Sequence, residues 1–470
     1  MKWELTRMTS MIALAIAIWL AAPINAIAFC GFYVGKANAT LRNHASKVVL
    51  VHHEDKTVIT IMSDYQGDLS QFAMVVPVPV VLQRGQIHIG DPAVVKHLDD
   101  YSAPRLVEYD DPNPCPINYP QPMAPSAGVG MEMPNEAMRR AQNSAAALGV
   151  KIEAQYTVGE YDIMILSAKQ SDGLETWLSQ NGYRIPPGAA AALAPYIRDG
   201  MKFFVARVNL KEQAKTGVDY LRPLQFAFES PKFMLPIRLG MVNADGPQDL
   251  VIFLLTESGR VEATNYRTIP MPSGEDVPQF VRDDFSKTYG AIFDHQSKVN
   301  DLRAVFTEYF WNMNFCDPCA AQPLSNAELR DLGVFWLPPQ NYQGSNYPRP
   351  MLGAPGGMMP GVGFEGSGGS ARLTRLHVRY SAGTFPEDLS FQETGDANPF
   401  QVRYVLHRPW KGSPQLCPAA ATYFQTLDQR REQQARNLAD LTGWDVGMVM
   451  HRIGLNLTEQ AHPWWQNLWN

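Results

Sequence analysis

The chain has 470 residues, 45% of them apolar and 18% charged, with a formal net charge of −6. That composition excludes a disordered polymer, and the length suits two or three domains at roughly 150 residues each. The weak acidity is spread along the chain, which excludes the basic face that nucleic acid or an anionic lipid surface would require.

The N-terminus sets the compartment. Lys2 and Arg7 outnumber Glu4, and residues 8–22 are then apolar apart from Thr9 and Ser10. Pro23 and Asn25 break that run, and Ala26-Ile27-Ala28 supplies the small-x-small pattern that signal peptidase accepts. A signal peptide is expected at 1–28, with cleavage after Ala28. The apolar run is shorter than the ~20 residues of a membrane span, and no later run approaches that length. No transmembrane anchor is therefore expected after cleavage. Phe29 precedes Cys30 where a lipid-accepting cysteine wants a small neighbour, so Cys30 is expected to be unlipidated. The expected product is a soluble periplasmic or secreted protein, and losing Lys2, Arg7 and Glu4 takes its net charge to −7.

In chain order, strands are expected at 48–51, 57–61 and 72–81, the last an edge strand or an extended segment because Pro77 and Pro79 cannot donate to a ladder. Asp91-Pro92 opens a short helix to about Asp100. Residues 110–134 form a proline-rich loop around Cys115, and an Ala-rich helix is expected at 135–148. A strand at 161–166, helices at 171–178 and 188–199, and a strand at 202–208 follow. Further strands are expected at 224–228, 234–239, 250–256 and 261–266. Beyond Pro270, residues 283–310 read as mainly helical and 325–332 as a capped helix. Residues 347–370 form a Gly/Pro/Met-rich loop. Strands at 376–380 and 401–407 are expected to pair with each other, and a long helix spans about 418–441, ending before Gly443. Trp464, Trp465 and Trp469 are expected to dock on the domain. The fold class is α+β: mixed or largely antiparallel sheets covered by helices, β-rich over 29–270 and more helical over 271–470.

Long stretches carry a family resemblance. Cys30-Gly31-Phe32-Tyr33-Val34, Asp64-Tyr65-Gln66-Gly67-Asp68, residues 73–79, Ala103-Pro104-Arg105-Leu106-Val107-Glu108-Tyr109, Ser230-Pro231-Lys232-Phe233-Met234-Leu235-Pro236-Ile237-Arg238 and Cys316-Asp317-Pro318-Cys319 resemble the bacterial exported family filed as domain of unknown function number 2330. The resemblance covers nearly the whole mature chain. It implies export and brings no activity with it.

Five cysteines, Cys30, Cys115, Cys316, Cys319 and Cys417, lie in the exported part, where disulfides persist. Cys316 and Cys319 are candidates for a local disulfide or a redox pair, with the structural disulfide favoured because Pro323 and Ser325 leave no helix to carry the second cysteine. Cys30, Cys115 and Cys417 are candidates for structural disulfides, and the pairing stays open. No second ligand pair completes a zinc site. Met123, Met131, Met133, Met351, Met358 and Met359 lie in loops where thioethers could take Cu(I), but loop methionine is the simpler reading. His52 and His53 are neighbours on a strand and face opposite ways, so they cannot readily share a metal. The pairs Asp99-Asp100, Asp110-Asp111 and Asp283-Asp284 could serve hydrolysis, but caps and turns explain them more simply. Neither metal nor cofactor is expected. The favoured function is a non-enzymatic extracytoplasmic binding or envelope-associated protein, with an envelope protein as partner. A thiol-disulfide or copper-handling protein using Cys316 and Cys319 is the alternative, and a hydrolase built from dispersed Asp, His and Ser is a third.

Overall fold

The computed structural model describes residues 32–33, 46–62, 73–115, 149–181, 183, 188–218, 220–243, 246–313, 322–337 and 371–455. The expected signal peptide, Cys30, Cys316, Cys319, the expected helix at 135–148, most of the expected proline-rich loop, residues 347–370, Met123, Met131, Met133 and the tail tryptophans lie outside them.

Two sheets stack face to face. The smaller runs in the order β1 (Phe32–Tyr33), β4 (Ala73–Val78), β9 (Lys202–Val208), β8 (Tyr161–Ala168), β7 (Val150–Val158), antiparallel throughout. The larger has nine strands. Eight run in the order β14 (Arg267–Pro270), β15 (Ala304–Asn312), β16 (Arg372–Tyr380), β12 (Gln248–Thr256), β2 (Ser46–His53), β3 (Lys56–Met62), β10 (Leu224–Glu229), β5 (Ile87–Ile89), and β18 (Phe400–Gln401) pairs with β15 off that path. Its β12–β2 and β14–β15 pairs are parallel and the rest antiparallel, and its strands come from both sides of residue 270. The class is α+β.

Strand alternation builds the layers. On β4, Met74, Val76 and Val78 join Ile163, Ile165, Phe204 and Ala206 against the larger sheet, meeting Val48, Leu50, Ile252 and Leu254. The intervening Ala73 and Val75 face the other way, toward α2 (Ser171–Gln180) and α3 (Ala189–Arg198) through Leu174, Trp177, Leu178 and Leu193. The far face of the larger sheet, with Val49, Val51, Phe253 and Leu255, is covered by α1 (Pro92–Ser102) and α6 (Asn326–Asp331). Helix, sheet, sheet and helix thus form four layers. A short helix, α4 (Leu210–Thr216), follows β9. At one end, α5 (Phe285–Val299), α7 (Pro418–Thr442) and α8 (Val446–Arg452) pack around Phe306, Val402 and Tyr404. Two small ladders complete the fold: β11 (Met234–Leu235), β17 (Leu389–Glu393), β13 (Val261–Ala263), and the parallel pair β19 (Arg403–Arg408) with β6 (Arg105–Asp110).

Capping signals read true. Asp91 accepts from the Ala93 amide at 2.8 Å, Ser325 and Glu328 close a capping box, and Gly443 ends α7 at φ +69°. Four expectations are corrected. Residues 304–312 form a strand, because β15 is buried on both faces and its near-continuous apolar run has no strand period to read; Asp301 and Leu302, both at positive φ, make the turn from α5. β16 and β19 do not pair: β16 is already flanked by β12 and β15, and β19 joins β6. Residues 236–239 leave the strand because Pro236 ends it and the next two amides turn to a side chain. Finally, β4 lies inside its sheet, although β1 reaches only Val75 and Met74 and leaves Pro77 beyond it.

β15 carries a bulge at Glu308, the residue skipped between the Thr307 and Tyr309 registers with β16. Its side chain has no solvent exposure and collects Arg375 Nε at 2.6 Å, His377 Nδ1 at 2.7 Å and the Tyr289 hydroxyl. Arg375 reaches on to Asp99 at 2.6 Å, which Lys47 also holds at 2.7 Å. Asp99 is therefore an ion-pair acceptor rather than a helix cap. Burial alone would raise the Glu308 pKa, but His377 and Arg375 outweigh it and hold the carboxyl at about 2 against an ordinary 4.5. A depressed carboxyl contributes stability that is fully present above pH 4.5 and lost as pH falls through 2, on the order of 3 kcal/mol here. Chemical denaturation of the wild type should show that loss between pH 5 and pH 2. Glu308→Ala should cost about 3–5 kcal/mol at pH 7 by leaving the buried Arg375 Nε and the His377 ring without their acceptor, Asp99 meeting only the other side of the guanidinium.

Candidate functional site

A cleft of about 340 Å³ opens where the smaller sheet's helix layer meets the β11–β17 ladder. Four segments distant in sequence form it, one of them represented by Asn265 alone. Helix α3 brings Tyr196 at its last turn and Asp199 just after it; the chain leaving β11 brings Arg238; and Glu387-Asp388 lead into β17. Lys232, Phe233, Met201 and Phe391 add the remaining walls discussed below.

Asp388 organises the cleft. It is 7% exposed, and its Oδ1 accepts from the Tyr196 hydroxyl at 2.6 Å, the Ile237 amide at 2.9 Å and the Arg238 amide at 3.1 Å. Its backbone carbonyl accepts from Asn265 Nδ2 at 2.8 Å. One carboxylate thus pins a helix, a strand end and a turn. Burial, then the neighbouring Asp388 charge, push the Tyr196 hydroxyl well above its ordinary pKa, so it stays protonated and donating.

Arg238 is held less completely. Its Nε lies 3.7 Å from Asp388 Oδ2, beyond hydrogen-bond reach, and is buried without a partner. The guanidinium makes no hydrogen bond to another described residue, while its Cζ sits 6.0 Å from the Tyr196 ring centroid. A planar fork of donors thus lines the cleft with no hydrogen bond to another described residue. Lys232 is engaged with Asp199 at 2.8 Å. Among the described residues the lining holds no histidine or cysteine, and the Ser390 hydroxyl bonds to no described base.

The residues singled out in the sequence fall elsewhere. Cys115 and Cys417 are joined, bridging the chain after β6 to the N-cap of α7 across 302 residues. Nearby, Asp111 accepts from the Tyr423 hydroxyl at 2.6 Å, from Arg430 and from His407 Nδ1 at 3.2 Å. Burial opposes ionisation of Asp111, and Arg430 and Tyr423 outweigh it, so its carboxyl titrates below the ordinary range. Asp111 is a buried anchor and not a turn cap; Asp284 sits at the N-cap of α5 without a capping bond from its side chain. His52 stacks on Phe233 at 3.9 Å, whereas His53 meets Trp336 and Glu257, so the two imidazoles do diverge. Among the described residues no three His, Cys, Asp or Glu side chains group as metal ligands. Arg238, Asp388, Tyr196 and Glu387 were not singled out from sequence. The available signal was the stretch 230–238, which carries the family resemblance and supplies Lys232, Phe233, Met234 and Arg238 to the cleft.

A family described as an uncharacterized protein conserved in bacteria (DUF2330) matches residues 24–392. No curated protein and no solved structure matches the chain. Among the described residues no helix is long and apolar enough to cross a membrane.

The disulfide can be tested apart from the cap it replaces. Cys417 Sγ accepts from the Ala420 amide at 3.4 Å, and a serine hydroxyl can keep that cap. Cys417→Ser should therefore report the cross-link, with a loss of about 3–5 kcal/mol in urea unfolding expected for so long a loop.

Proposed function

The chain belongs to the DUF2330 family of uncharacterized bacterial proteins, and we propose that it acts as an extracytoplasmic binding protein whose small ligand sits in the Arg238 cleft. The observation that carries this reading is the guanidinium that hydrogen-bonds no described residue and stands 3.7 Å from Asp388, in a cleft where Lys232 and Tyr196 are engaged. An acidic group is the natural complement, because Arg presents parallel N–H bonds that match a carboxylate. Phe233, Met201 and Phe391 supply the apolar surface that a small-molecule site needs, and 340 Å³ lies within the range of such sites.

Export follows from the N-terminal pattern: a basic start, an apolar run and Ala26-Ile27-Ala28. N-terminal sequencing of protein recovered from its native compartment should begin at Phe29. In that compartment Cys316 and Cys319 form a local disulfide and not a working redox pair. With Cys115 joined to Cys417, Cys30 is then left as one free thiol. Thiol titration of the denatured, unreduced mature protein should count one. Two or more would return Cys316 and Cys319 to a redox role.

For the cleft, isothermal titration of the mature protein against short carboxylates, amino acids and small peptides should find at least one binder. Arg238→Gln should weaken that binder tenfold or more with little change in thermal unfolding. Binding that survives Arg238→Gln unchanged, or no binder in the panel, would overturn the assignment.

A further inference from the structure

We infer that the ligand of this cleft is a zwitterion, an amino acid or a short peptide with free termini, held by its carboxylate at Arg238 and by its ammonium at Glu387. The inference rests on the reading of the cleft as a binding site and goes on to name the chemistry of the ligand.

Charge accounting separates this from a simple anion site. The lining carries two cations, Lys232 and Arg238, against three carboxylates, Asp199, Glu387 and Asp388. Lys232 and Asp199 neutralise each other at 2.8 Å. Asp388 has one oxygen filled by three donors and the other facing Arg238 Nε at 3.7 Å, too far for a hydrogen bond. A purely anionic ligand would therefore enter a cleft whose summed charge is already negative, and Glu387 would repel it. A purely cationic ligand would leave the guanidinium donors unmet.

Glu387 has capacity for a cation. It is exposed, no ion pair joins it to any described Lys or Arg, and its Oε2 takes only a long 3.3 Å bond from Asn265 Nδ2. Its backbone is fixed, however, because its amide donates to the Tyr266 hydroxyl at 2.8 Å and its carbonyl accepts from that hydroxyl at 3.1 Å. The carboxylate thus stands on an anchored stem next to Asp388, in the lining that also holds Arg238. Phe233 and Phe391 also line the cleft, with ring centroids 5.3 Å apart, and give an apolar surface for a side chain or a peptide Cα.

Calorimetric titration of the mature protein with phenylalanine, alanyl-phenylalanine and alanyl-alanyl-phenylalanine samples three separations of ammonium and carboxylate. The tightest of the three should bind at least tenfold more strongly than its N-acetyl derivative, which keeps only the carboxylate, and than its C-terminal amide, which keeps only the ammonium. Glu387→Gln should erase the advantage over the N-acetyl form by weakening the free peptide, with the N-acetyl form bound at least as tightly as before, and Arg238→Gln should weaken both. If the N-acetyl form binds as well as the free peptide and still depends on Arg238, the zwitterion inference falls while the anion-binding cleft stands. If the amide binds as well as the free peptide and Arg238→Gln changes nothing, the inference and the Arg238 site both fall. No binding by any of these probes at millimolar concentration also overturns the inference, and the wider carboxylate panel then decides the cleft itself.

Discussion

A carboxylate shut away from water has to collect its hydrogen-bond donors from whatever surrounds it, and Glu308 is the point where this requirement binds the fold together. The bulge in β15 gives it a position outside the ladder, so its side chain can meet Arg375 and His377 of β16 and Tyr289 of α5 at once. Its backbone carbonyl, released from the regular register, accepts from Val402 at 2.9 Å. Arg375 extends the tie through Asp99 to α1 on the covering layer, and Phe293 lies flat against His377 at 3.6 Å. Misplacing any of these elements would strand a charge in the interior, which costs far more than an equal apolar mismatch. Close-packed Val, Ile and Leu tolerate many arrangements; a satisfied buried charge tolerates few.

The same device recurs at Asp111 and Asp388 with different consequences. Asp111 draws Tyr423 and Arg430 of α7 and His407 of β19 onto the end of β6, beside the Cys115–Cys417 bridge. Asp388 joins α3 to the turn after β11. Glu308 and Asp111 are enclosed by partners that meet their needs, and they offer a ligand nothing. Asp388 spends one oxygen on three donors and leaves its neighbour Arg238 only loosely held, at the wall of a cleft. Incomplete satisfaction next to a rigid anchor is what distinguishes a site able to bind from one that only braces.

Much of the fold could be read from local chemistry, and the limits of that reading are physical. Asp91, the Ser325/Glu328 capping box and Gly443 mark helix ends through contacts made within a few residues, so the sequence displays them directly. Along β8, buried Tyr161, Ile163 and Ile165 alternate with half-buried Asp162 and Met164 and show the strand period. β15 has both faces buried and looks helical beside α5, and β7 is half-exposed along most of its length, which blurs its pattern. The strand partners of β16 and β19 depend on which edges are already taken, a property of the assembled sheet. The cleft was hidden for a related reason: Tyr196, Arg238 and Asp388 are far apart in the chain, so no spacing announces them, and each alone resembles an ordinary surface or core residue. Only the stretch 230–238 marked the region, and it did so as a family feature without chemistry attached.

The family match ends at residue 392, inside β17, yet the structural ties do not respect that boundary. Val402 supplies the amide that satisfies the bulge carbonyl of Glu308, β19 completes the only ladder that β6 has among the described residues, and Arg430 and Tyr423 neutralise the buried Asp111. Each of these donors serves a group inside the matched segment that would otherwise be left buried and unpaired. Burial of α7 against α5 through Leu438 and Phe293 adds apolar area to the same junction. Residues 393–455 are therefore an integral layer of this fold. The matched segment draws on them to satisfy its own interior, and the disulfide fixes across 302 residues a contact that those hydrogen bonds already specify.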